Sequence, residues 1–184
     1  MLHEPEWLSA DEATVLQAAL VEELAWEQRE IVLFGRRILQ PRLIAWAGDI
    51  GYRYSGQTLP QRPLTPVLRG VLDRVNRRGG APFNHVLVNR YRDGTDSMGL
   101  HADAEPELGP DPVVASVSLG VARRFVLVPR RKGERFEYSL GHGSLLVMGG
   151  TCQAHYRHGI PRASGVHGER LSLTFRRVIE EPTG

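Results

Sequence analysis

From His85 onward the chain breaks into short β-rich runs separated by turn residues, with no helix-length segment among them. No other feature constrains the fold as much. The runs predicted as strands are His85–Tyr91, Val113–Leu119, Arg124–Val128, Phe136–Leu140, Ser144–Met148 and Arg170–Val178. Many short strands without intervening helices form antiparallel sheets, closed as a barrel or stacked as a sandwich, and a jelly roll is the natural form. Two helices are expected before them. Ser9 with Glu12 three residues on gives a capping box, and Leu16, Leu20 and Leu24 continue a helix from about Ala10 to Ala25. A second runs from Pro66 to Arg77 on a stripe of Val67, Leu68, Val71, Leu72 and Val75, and stops at Gly79-Gly80. Between them, Glu30 to Gln61 mixes aromatics with glycines and reads as a loop or hairpin region.

With 184 residues, 41% of them hydrophobic, the chain can build one domain with a real core. The expected division is one domain over 1–184, with a lid at about 30–62 and a β core at about 83–178. Cys152 is the only cysteine, which excludes an intrachain disulfide and a thiolate zinc site and suits a reducing compartment. No apolar run approaches the ~20 residues of a membrane span, and the start lacks a basic region leading into an apolar stretch. An intracellular, cytoplasmic protein is expected, with a nuclear setting left open. The net charge of +2 permits a nucleic-acid partner without demanding one.

Four patterns are candidates for chemistry. In His101-Ala102-Asp103, an imidazole and a carboxylate two apart on a strand would share a face. With a second histidine, for which His158 is the best candidate, they would make the two-histidine, one-carboxylate set of non-haem iron sites. The bland alternative is polar loop residues. In Arg170 to Arg176, period two puts Arg170, Ser172, Thr174 and Arg176 on one face and Leu171, Leu173 and Phe175 on the other. That is either a strand with one wet face or a cradle for a carboxylate, which guanidinium groups bind in bidentate fashion. Asn89 and Tyr91 share a strand face and can hydrogen-bond an oxygen-rich ligand. A fourth pattern is basic and aromatic: Phe34-Gly35-Arg36-Arg37 with Arg42, and the cluster Arg130, Arg131, Lys132 and Arg135 around Gly133. Phosphates attract such clusters, although an ordinary solvated hairpin looks the same.

Read in order, these pieces resemble the AlkB family of nucleic-acid dioxygenases. Phe83 to Gly94 resembles the family's Asn-x-Tyr strand and turn, and His101 to Glu105 its HxDxD/E element. Ala115 to Gly120 resembles its SVSLG strand, Gly141 to Met148 its HGSLL strand, His158 to Pro161 its third-ligand motif, and Arg170 to Arg176 its closing RxxxTFR. The resemblance covers about Ile31 to Arg177 and is nearest the duplex-DNA repair type. It implies a double-stranded β-helix with Fe(II) on His101, Asp103 and His158. 2-Oxoglutarate would be held by Asn89, Tyr91, Arg170, Ser172, Thr174 and Arg176.

The implied reaction is oxidative demethylation of 1-methyladenine and 3-methylcytosine by a monomer acting on DNA. RNA or another substrate, and a catalytically silent binding module, are the alternatives. By the same resemblance, Phe34, Gly35 and Arg36 would form a finger entering the duplex, with Arg42 beside it. Tyr52, Tyr54 and Ser55 would line the base pocket, Glu105 would contact the exocyclic amine, and Arg131 and Lys132 would hold the duplex. Two departures stand out: Ala104 replaces an acid of the relatives, and the basic hairpin is short.

Overall fold

The structure, a computed structural model, describes residues 1–33, 36–54 and 57–179. Both expected helices form. In α1 (Ala10–Glu23) the Ser9 side chain accepts from the Glu12 N–H while Glu12 reaches back to the Ser9 N–H, so two of the otherwise unpaired first-turn donors are satisfied. It stops short of Ala25 because Leu24 turns extended. In α2 (Pro66–Gly79) the Thr65 hydroxyl caps the Leu68 N–H, and Pro66 sits where a missing N–H costs nothing. Gly80, at φ 71°, ends the helix in the left-handed region that glycine adopts without strain.

The first sheet has six strands. Its members are β1 (Leu2–Glu4), β4 (Leu43–Gly48), β7 (His85–Tyr91), β9 (Val114–Gly120), β12 (Ser144–Met148) and β14 (Arg170–Arg176), in the order β1-β12-β9-β14-β7-β4. Opposite it lie β8 (Met98–His101), β10 (Arg123–Pro129), β11 (Phe136–Leu140) and β13 (Tyr156–Ile160), in the order β11-β10-β13-β8. All the strand pairings in both sheets are antiparallel, as a jelly roll requires. Two hairpins, β2 (Glu30–Leu33) with β3 (Arg36–Leu39) and β5 (Tyr52–Tyr54) with β6 (Gln57–Leu59), flank β4 in sequence. The region expected as a lid therefore contains a core strand: β4 pairs along β7 from Leu43↔Arg90 to Gly48↔His85, and its Ile44, Trp46 and Ala47 are buried. A short helix, α3 (Cys152–His155), precedes β13.

Period-two alternation on the large sheet separates two interiors. Val86 and Val88, Val117 and Leu119, Leu145 and Val147, and Leu171, Leu173 and Phe175 face the helices and pack with Leu20, Leu68, Leu72 and Val75. The alternate residues face the small sheet. There Tyr91, Leu146 and Met148 meet Phe125, Leu127, Leu140 and Ile160 in a second core. The polar face of β14 is thus not wet. Arg170 is 1% and Arg176 2% exposed, because a sheet lies on each side of that face's layer.

Candidate metal and co-substrate site

Antiparallel register sets His158 directly opposite His101, at the end of the small sheet where β13 meets β8. Their ring centroids are 4.3 Å apart. Strand β8 ends at His101, so Asp103 comes from the loop beyond it and not from a continuing strand face as the spacing suggested. That loop is held by its own backbone: the Asp103 N–H donates to Gln153 Oε1 at 3.0 Å. His101, Asp103 and His158 each offer one ligand atom, all within 4.8 Å of one another, and they are the metal-ligating cluster found among the described residues.

The protonation states suit a cation. His101 Nδ1 lies 3.0 Å from the Gly99 carbonyl, which fixes that nitrogen as the donor and leaves Nε2 as a lone pair. Burial, and then the neighbouring His158, lower the His101 pKa to about 4, so the ring is neutral at pH 7. Burial alone would raise the Asp103 carboxyl. Instead the Arg176 guanidinium and the contacts with His158 and His101 hold it well below the usual carboxylate range. Arg176 donates to Asp103 Oδ1 through Nε at 3.0 Å and Nη2 at 2.6 Å. The second oxygen, Oδ2, faces His158 Nε2 at 3.4 Å and accepts no hydrogen bond among the described residues. Phe125 stacks on His158, with ring centroids 5.4 Å apart and planes 24° from parallel.

Beside this cluster a cavity between the two sheets is lined by Asn89, Tyr91, Met98, Arg170, Ser172 and Thr174, together with His101, His158 and Arg176. The two arginines, expected to act as one pair, divide their work. Arg176 is committed to Asp103. Arg170 donates Nη2 to Ser118 Oγ at 2.8 Å and lies against the Tyr91 ring, centroid 5.3 Å away. Among the described residues its Nε and Nη1 are buried without a hydrogen-bond acceptor; burial pushes its pKa down to about 10, a shift that the adjacent Tyr91 side chain partly offsets. A buried guanidinium with two idle donors is costly unless an anion completes it. Neutral imidazole, ionised carboxylate and a buried cationic anchor therefore fit a divalent metal with a carboxylate ligand alongside.

The remaining candidates fall elsewhere. Phe34, Gly35 and Ser55 lie outside the described residues, as do the side chains of Tyr52 and Tyr54. Arg36 is exposed on β3, Glu105 is half-buried just before the turn Pro106–Leu108, and Arg131 and Lys132 are exposed on the β10–β11 hairpin. Arg42, expected beside the finger, is instead 6% exposed and donates Nε to Asn89 Oδ1 at 2.7 Å. Gln153 and Phe125 were not anticipated. They reach the metal ligands from 50 and 33 residues away, through a long-range contact no local pattern announces.

A jelly roll whose sheet end gathers two imidazoles and a carboxylate around one point, with an anion anchor alongside, belongs to the class of non-haem iron oxygenases. A family model described as "2OG-Fe(II) oxygenase superfamily" matches residues 1–176. Human "Alpha-ketoglutarate-dependent dioxygenase alkB homolog 3" is 36% identical over 98% of this chain and 66% of that protein. Mouse "DNA oxidative demethylase ALKBH2" is 41% identical over 86% of this chain and 71% of that protein. The chain spans about two thirds of the length of these relatives. A 2OG-Fe(II) oxygenase family oxidoreductase from Burkholderia pseudomallei superposes with a TM-score of 0.63 over 95% of this chain and 83% of that one, at 19% identity, and shares the fold. The chain belongs to the 2OG-Fe(II) oxygenase superfamily and, within it, to the AlkB family.

Proposed function

We propose that this protein is a DNA-repair dioxygenase that removes N-methyl groups from 1-methyladenine and 3-methylcytosine, using Fe(II), 2-oxoglutarate and dioxygen. The observation that carries the reading is the His101, Asp103 and His158 cluster, with the buried Arg170 lining the same cavity. The likeness to mouse "DNA oxidative demethylase ALKBH2" supports nucleic acid as the substrate.

His101, Asp103 and His158 would hold the iron. Held there with 2-oxoglutarate and dioxygen, iron would supply C–H hydroxylation: one oxygen atom would enter the methyl group and the other succinate as 2-oxoglutarate loses carbon dioxide, and the hydroxymethyl product would release formaldehyde. The rest is the work of side chains. Arg170 orients the co-substrate by binding its far carboxylate, with Tyr91, Ser172 and Thr174 lining the same space. Arg176 keeps Asp103 ionised and turns one oxygen toward the ligand point. Met98, Phe125, Met148 and Ile160 keep water out.

A methyl on the base-pairing edge is hidden in a duplex, so the base must leave the stack. Phe34 would fill the gap it leaves, Tyr54 would stack on the extruded base, and Glu105 would face the cationic ring. Arg36, Arg131 and Lys132 would take phosphates. The test is to incubate iron-loaded protein with 2-oxoglutarate and oligonucleotides carrying 1-methyladenine or 3-methylcytosine. Formaldehyde and the restored base are expected. Turnover of 2-oxoglutarate that leaves both lesions intact in single and double strands would move the substrate to another class.

A further inference from the structure

The family resemblance placed Arg42 beside the duplex-entering finger, but its side chain is buried and directed inward. It lies between the end of β3 and the start of β4, in a segment stitched down on both sides. Gln40 N–H donates to the Arg29 carbonyl at 2.8 Å, and Ser97 N–H to the Pro41 carbonyl at 3.0 Å. From there Arg42 Nε donates to Asn89 Oδ1 at 2.7 Å and Nη1 reaches the Ser97 carbonyl at 3.4 Å. Among the described residues no carboxylate lies within salt-bridge distance of it. Asn89 sits 2% exposed at the middle of β7, opposite Ser172 of β14, and lines the cavity.

The chemistry of the pair fixes an orientation. A carboxamide has an acceptor end and a donor end, whereas a guanidinium can only donate. Asn89 must therefore present its oxygen to Arg42, which leaves its NH2 as the end available to the cavity. Without Arg42 the amide could rotate by half a turn and offer an oxygen to an incoming carboxylate, which would repel it. We infer that Arg42 is a positioning residue for the co-substrate: it locks the Asn89 amide with its donors toward the cavity, so that an acidic ligand anchored by Arg170 meets hydrogen-bond donors. This rests on the assignment of the cavity to 2-oxoglutarate, and it gives Arg42 a role apart from nucleic-acid contact.

Binding tests it without turnover. Mn(II)-loaded protein is titrated calorimetrically with 2-oxoglutarate. Arg42→Met weakens binding by about tenfold, at the low end of what loss of an outer-shell orienting group costs. Arg42→Lys, which keeps a donor, recovers most of that loss. In an Asn89→Ala background Arg42→Met has no further effect, because the pair acts as one unit. Affinity for a methylated oligonucleotide, followed by fluorescence anisotropy without co-substrate, stays within about twofold of wild type and keeps its salt slope. Two results overturn the inference: unchanged 2-oxoglutarate affinity in Arg42→Met, or an equal loss with and without Asn89. Weaker oligonucleotide binding with a shallower salt slope and intact 2-oxoglutarate binding also overturns it, and makes Arg42 a phosphate contact. A wild-type Mn(II) protein that binds no 2-oxoglutarate refutes the cavity assignment itself, a result distinct from any change caused by the Arg42 variants.

Discussion

Replacing Arg170 with methionine should make the protein more stable and unable to bind its co-substrate. The guanidinium is 1% exposed and no carboxylate pairs with it among the described residues. Burial lowers its pKa from the ordinary guanidinium range to about 10. A folded-state pKa below the unfolded one means the charged form is disfavoured by folding at every pH below about 10. At 1.36 kcal/mol per unit, holding that charge in the folded protein costs about 3 kcal/mol. Methionine fills much of the same space without the charge, as when buried charged groups give way to apolar residues of similar volume. The lost hydrogen bonds to Ser118 and, more weakly, to Ser172 take back about 1–2 kcal/mol. The net gain is about 1–2 kcal/mol, a rise in Tm of about 2–8 °C for a chain of this size.

Affinity for 2-oxoglutarate should fall instead. Two charge-assisted hydrogen bonds at about 1.5–3 kcal/mol each make the loss at least 100-fold. Scanning calorimetry of the metal-free protein and titration of the Mn(II) form measure the two effects on the same preparation. A variant that loses stability while keeping its affinity for 2-oxoglutarate would show that Arg170 is a structural residue, and the argument from its idle donors would fail.

His158→Ala should abolish metal binding, whereas His155→Ala should leave it unchanged, because His155 is exposed and lines a separate groove under the β10–β11 hairpin; Mn(II) titration separates them. His85 is 1% exposed, and burial, then the nearby Arg176 charge, lower its pKa to about 3. Between pH 6.5 and about 3 the unfolded chain binds a proton there that the native state refuses, so stability falls with pH in that window; urea melts should show about 3 kcal/mol lost to this group by pH 4.5, and His85→Asn should flatten the slope by about one proton. Gly94→Ala should cost about 2–4 kcal/mol in chemical denaturation, because a Cβ there would sit 1.9 Å from the Ala163 carbonyl oxygen in backbone the side chain cannot displace. Arg131→Ala with Lys132→Ala should weaken oligonucleotide binding and lower the salt slope by about 1 to 2, measured by anisotropy between low and moderate salt.

Much of this molecule follows from the chain alone. Ser9 with Glu12, Pro66 after Thr65, and Gly79-Gly80 mark helix ends because caps are local chemistry, satisfied within a few residues. Strands β7, β11 and β12 fall at their expected bounds, since alternation and turn residues are also local signals. The identities of His101, Asp103 and His158 were legible as residue types at a suggestive spacing. Short strands with no strong pattern were not. β8 and β13 are four and five residues long and contain Gly99 and Gly159, so only their partners define them. Whether the polar side of β14 faced water or another sheet could not be read from its alternation, because period two assigns residues to faces without saying what covers each face. The second sheet decided that. It turned Arg170 and Arg176 into buried cations and gave Arg176 to Asp103, while the connection from β3 to β4 brought Arg42 to Asn89 across 47 residues of sequence. The sequence by itself determined which donors and acceptors were available. Folding determined which of them were stripped of water, and so which must find one another or wait for a ligand.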